Sequence, residues 1–142
     1  MFININLNID IQRHYFVILK DFLEAEYKAM EYGEMPSVLE LSRAIHGMLE
    51  TLRAKRAELS AMLEGLGVLE YASELPKNMG DELRAKLDLL KSVEERCAMA
   101  ASRNSEFAFI LADESAGLLG MLPASGSVTG SVSDHGFKGR VQ

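Results

Sequence analysis

The chain has 142 residues, a net charge of −6, one cysteine and no tryptophan. That length suits one domain with one core. The charge argues against a nucleic-acid backbone or an anionic membrane as partner, and the lone Cys97 excludes an intrachain disulfide framework and a Cys-rich zinc site. The N-terminus has no basic n-region followed by an apolar h-region. The longest strongly apolar run, Phe107 to Ala112, is too short to cross a bilayer. A cytoplasmic protein is expected, with a leaderless route out of the cell left open.

Residues 2–10 alternate. Ile3, Ile5, Leu7, Ile9 and Ile11 are interleaved with Asn4, Asn6, Asn8 and Asp10, which is the period of a strand. No second strand candidate exists to pair with it. The reading is therefore an N-terminal extension that lies along a neighbour, pairs with itself across a dimer or stays disordered, with Asp10 as a possible N-cap.

The helical bundle is expected over residues 11–122. From Ile11 to Tyr32 one apolar stripe runs through Ile11, Tyr15, Ile18, Phe22, Ala25 and Ala29. A second, flanking stripe runs through Phe16, Leu19, Leu23, Tyr27 and Met30. Gly33 and Pro36 end this segment. Ser37 and Glu40 then form an S-x-x-E capping box, which predicts that the next helix starts after Pro36. Val38, Leu41, Ile45, Met48, Leu52, Leu59, Met62 and Leu66 continue at helical spacing until Gly65 and Gly67. Residues 68–80 read as a connection, with room for a helical turn over Leu69–Leu75. Acidic residues from Asp21 to Glu34 and basic ones from Arg43 to Arg56 would lie near each other in an antiparallel hairpin and help set its register.

The third long helix is expected to begin near Asp81. Its seam runs Leu83, Leu87, Leu90, Glu94, Cys97, Ala101, Asn104, Ala108, Leu111, Ser115, Leu118, Leu122. A polar Asn104 in such a seam fixes register at some cost in stability. Near Phe107 the apolar face widens to include Phe109, Ile110, Leu119 and Met121. Residues 123–142 are rich in Gly and Ser and read as a flexible tail with sparse apolar points at Val128, Val132, Phe137 and Val141. The fold class is thus all-α, an elongated antiparallel coiled-coil-like bundle of three long helices.

No catalytic constellation is present. His14, His46 and His135 fall in three different segments, and E-x-x-H, H-E-x-x-H, P-loop and G-x-G-x-x-G patterns are absent. Cys97 reads as a core residue and not as a nucleophile, and Met30, Met48, Met62 and Met99 read mostly as core. An enzyme or metal bundle is not expected, and no cofactor is.

The order of segments invites comparison with a known family. An acidic first helix precedes a second helix that runs into L-R-A-K-R-A-E-L-S-A-M-L-E-G-L-G, residues 52–67. The third carries S-R-N-S-E-F-A-F-I-L, residues 102–111, ahead of the Gly/Ser tail. From about residue 11 this resembles the FlgN family of flagellar type III secretion chaperones. The family's frequent Y-G-x-x-G element after the last helix is replaced by Ser125-Gly126-Ser127-Val128-Thr129-Gly130, so a tyrosine-dependent contact with the export gate is not carried over. The resemblance implies a cytoplasmic chaperone without ATPase activity. It would bind hook-filament junction proteins and deliver them to the flagellar export apparatus.

The residues expected to hold such a client are Phe107, Ile110, Leu111, Leu118, Leu119, Met121 and Leu122, where the apolar face broadens just before the tail. The competing reading is that they complete the core. The alternative function is a structural helical adaptor or self-assembling coiled-coil protein, and a homodimer is compatible with either.

Overall fold

A computed structural model describes the backbone of residues 1–119 and the side chains of residues 1–114. The described chain is all-α: α1 (Phe2–Glu31), α2 (Met35–Leu63), α3 (Val68–Ser73) and α4 (Lys77–Leu119). At 1.5 Å per residue α1 is about 45 Å long and α4 about 65 Å.

The expected strand at residues 2–10 is corrected. These residues are the first turns of α1, and the boundary anticipated at residue 11 does not exist. Strict alternation at i, i+2 also contains the i, i+4 pairs that a helix uses, so one sequence satisfies both periods. The helix gathers Ile5 and Ile9, both almost fully buried, with Gln12 and Phe16, and leaves Ile3 77% exposed. Burial of Asn8 is made tolerable by hydrogen bonds. Its Nδ2 donates to the Lys55 carbonyl at 3.1 Å and its Oδ1 accepts from Gln12 Nε2 at 2.7 Å. Asp10 is no N-cap either; it sits in mid-helix and accepts from Lys86 Nζ at 2.9 Å.

Gly33 ends α1 in the left-handed region, at φ +69°. The Glu34 N–H donates to the Ala29 carbonyl and the Gly33 N–H to that of Met30, the paired bonds of a Schellman turn. α2 then starts at Met35, earlier than the capping box suggested, and Ser37 makes no cap bond. Pro36 fits inside the first turn because the N–H it lacks would have no helical partner there. Glu64 and Gly65 close α2 with positive φ.

Residues 68–80 contain the anticipated helical turn as α3, but α4 begins at Lys77 and runs through Gly80. A Cβ on Gly80 would lie 2.6 Å from the Ala72 carbonyl oxygen. This glycine therefore lets α3 and α4 touch, and does not break the helix. Gly80→Val is expected to destabilise the protein by about 2 kcal/mol in denaturant melts despite removing a poor helix former.

α1 is the central helix, with α2 and α4 packed along it. α2 runs antiparallel to α1, as Asn8–Lys55 and Glu26–Ser42 contacts show. α4 runs parallel to α1: Asp10 meets Lys86, Phe16 meets Cys97 and Leu23 meets Asn104, at separations of 76, 81 and 81 residues. The core joins the second predicted stripe of α1 to Ile45, Leu49, Leu52, Leu59 and Leu63 of α2 and to Leu83, Leu90, Val93, Cys97 and Ala101 of α4. Residues of the first α1 stripe are mostly half-buried rims, and Met99, expected in the core, is exposed.

The expected pairing of the acidic and basic stretches is not what joins the helices. In the antiparallel register Lys55 lies beside Asn8, well away from the acidic half of α1. Among the described residues the inter-helix ion pairs are Arg56–Glu94 at 2.6 Å, Lys86–Asp10 at 2.9 Å and Arg103–Glu24 at 3.3 Å, all reaching to or from α4.

Candidate functional site

The three long helices meet through polar atoms at one level of the bundle. Glu26 of α1 is 4% exposed and Asn104 of α4 is 1% exposed. Asn104 Nδ2 donates to the Leu23 carbonyl at 2.7 Å and to Glu26 Oε1 at 2.9 Å, while Ser42 Oγ of α2 donates to Glu26 Oε2 at 3.2 Å. Asn104 thus sits at the register-setting place in the seam that its sequence position suggested. Glu26 was not anticipated, although the run 16, 19, 23, 26, 30 keeps helical spacing and the sequence reading took Tyr27 in its place.

Burial raises the pKa of the Glu26 carboxyl, and the hydrogen bonds from Asn104 and Ser42 only partly oppose that. The folded state therefore binds this proton more tightly than the unfolded chain. Stability contributed by the protonated form is present at low pH and declines as pH rises through the elevated folded value. Glu26→Gln keeps an acceptor for Asn104 without the charge. It is expected to unfold at higher denaturant than the parent at neutral pH, with the difference shrinking toward acid. A variant that is less stable at both ends would contradict this.

Arg103 extends the junction outward. Its Nε and Nη2 donate to Asn104 Oδ1 at 3.2 and 3.0 Å, its Nη1 pairs with Glu24, and its guanidinium lies 4.0 Å from the Tyr27 ring centroid. Tyr27 also packs against Phe107, with ring centroids 5.0 Å apart. Phe107 is therefore engaged within the bundle.

α4 runs on past the end of α1. α1 ends at Glu31, and the offset of 79 to 81 residues between α1 and α4 puts Leu111 level with that end. The remaining turns of α4 reach on the order of 12 Å beyond it. Just before it, still level with Ala29 and Met30 of α1, Phe109 is 46% and Ile110 47% exposed, and Leu111 is half-buried. The same end of the bundle carries the exposed Tyr32, Met35 and Leu39 of the α1–α2 corner, which the sequence reading did not include. Leu118 and Leu119 belong to α4, but their side chains lie outside the described residues, as do Met121, Leu122 and the expected tail at 123–142.

Cys97 is fully buried, its Sγ 3.1 Å from the Phe16 carbonyl, and burial pushes its thiol up to about 11, which suits a core residue and disfavours a thiolate. His14 and His46 are exposed on different helices, and no metal-binding group of acidic, His and Cys side chains occurs among the described residues. No described helix is long and apolar enough to cross a membrane. Comparison with protein-family models, with curated proteins and with solved structures found no match.

Proposed function

We propose that the protein is a cytoplasmic flagellar export chaperone of the FlgN type. In this reading it binds hook-filament junction proteins and hands them to the export apparatus. The observation that supports the reading is the far end of α4, where Phe109 and Ile110 are exposed beside the last turn of α1 and the helix then runs on past it. A helical end with apolar residues on more than one side suits an amphipathic helix laid alongside it. Client binding would use Ile110, Leu111 and Phe109, with Leu118, Leu119, Met121 and Leu122 continuing the surface. Phe107 would act indirectly, by holding α4 against Tyr27.

The test is co-purification with hook-filament junction proteins expressed in the same cells. Phe109→Asp/Ile110→Asp and a chain truncated after Gly117, which removes Leu118, Leu119, Met121 and Leu122, should each lower recovered client at least tenfold, with melting unchanged. Full recovery by both folded variants would place the client elsewhere.

A further inference from the structure

The outward face of α1 carries a pattern that packing within the chain does not use. Ile3, Leu7, Asp10, His14, Val17 and Asp21 follow one another at spacings of four and three residues, and all are exposed. Leu7 is 55% and Val17 44% exposed, although α1 packs against both α2 and α4. A face that served only to meet water would not need apolar residues at the positions of a helix–helix seam. Asp10, Arg13, His14 and Val17 also line a shallow depression on this face.

The pattern names its own complement. In an antiparallel helix pair the two kinds of seam position lie level with each other, so a second copy crossing at residue 12 brings residue i beside residue 24 − i. Leu7 then meets Val17, Asp10 meets His14, and the two-fold axis repeats both contacts. Every central layer is matched, apolar with apolar and acid with imidazole. A parallel pair would set Asp10 on Asp10 and His14 on His14. We infer that this face is a self-association surface, on which a second copy of the chain docks antiparallel through Leu7, Asp10, His14 and Val17. Arg13, Lys20 and Lys86 flank the seam, and Lys86 already pairs with Asp10, so each Asp10–His14 contact would sit beside a cation that holds the carboxylate in place. The inference is independent of the proposed chaperone role and uses the opposite half of α1 from the client surface.

Four layers make a short contact, at the low end of the roughly 1,200–2,000 Å² typical of specific interfaces, so the dimer should depend on concentration. Sedimentation equilibrium of the full chain from about 10 μM to about 1 mM reads it directly. The parent is expected to dimerise in that range. Leu7→Glu/Val17→Glu should be monomeric throughout, and His14→Asp, which sets carboxylates against each other, should weaken association at least tenfold. The swap Asp10→His/His14→Asp restores the acid–imidazole match in both polar layers and should recover most of it. Circular dichroism checks that each variant keeps its helices. A parent that stays monomeric at every concentration overturns the inference. A dimer indifferent to Leu7→Glu/Val17→Glu overturns the surface, and one that His14→Asp leaves intact, or that the swap does not rescue, overturns the antiparallel register.

Discussion

Asn104→Ala is expected to lower the free energy of unfolding by about 3 kcal/mol, because hydrogen bonds to a charged partner contribute roughly 1.5–3 kcal/mol and the groups left behind stay buried. The loss falls on several groups at once. The Leu23 carbonyl loses a donor at 2.7 Å, the Glu26 carboxylate loses one at 2.9 Å, and Arg103 loses the acceptor of two bonds. The value is read from urea or guanidinium melts at neutral pH, compared at constant m. Combined with Glu26→Gln the cost should shrink, since the orphaned group would no longer be ionised; a double mutant equal to the sum of the singles would show that the two residues are not coupled. Asn104→Asp, which sets a second carboxylate against Glu26, should be worse than Asn104→Ala.

The second large effect separates two neighbouring isoleucines. Ile5→Ala is expected to cost about 2–4 kcal/mol and Ile3→Ala to stay within about 0.5 kcal/mol, because deletion of buried methyl groups carries a cavity term that an exposed site lacks. Ile5 is 0% exposed, packed in the core shared by the three long helices. An N-terminal extension of any kind, strand or loose chain, would make both substitutions mild. Equal and small effects would therefore remove residues 2–10 from the bundle, and the same melts decide it.

The contrast also shows where the sequence was legible. Three long helices, the corner at Gly33, the turn at α3, the buried Cys97 and the polar layer at Asn104 all follow from spacing and turn chemistry, because each is a local property of the chain. Residues 2–10 misled because alternation and i, i+4 spacing coincide there, and the helix is selected by neighbours far along the chain: the core that buries Ile5 and Ile9, and Lys55 and Lys86 beside Asn8 and Asp10. Ser37 misled because a cap motif near Pro36 is compatible with more than one starting residue. Glu26 was hidden by its charge: a glutamate in an acidic stretch reads as solvent-facing until a donor from another helix is known to reach it. For the proposed client surface, the sequence pointed to the end of α4 by the widening of its apolar face. It could not separate Phe107, held by Tyr27, from Phe109 and Ile110, which are exposed, since that depends on which face of α4 meets α1.

The parallel alignment of α1 with α4 has a consequence for the rate at which the protein forms and is lost. The α1–α2 corner joins segments that adjoin in sequence, whereas α4 meets α1 across 76 to 81 residues. Closing the longer loop costs more chain entropy before any contact repays it, so the hairpin should assemble first and α4 dock on it late. Glu26 then keeps its hydration until Asn104 arrives, and no charge is stranded along the way. Substitutions in α4 should act mainly on the unfolding limb of a chevron plot, and Asn104→Ala should speed unfolding while leaving refolding nearly as fast as in the parent.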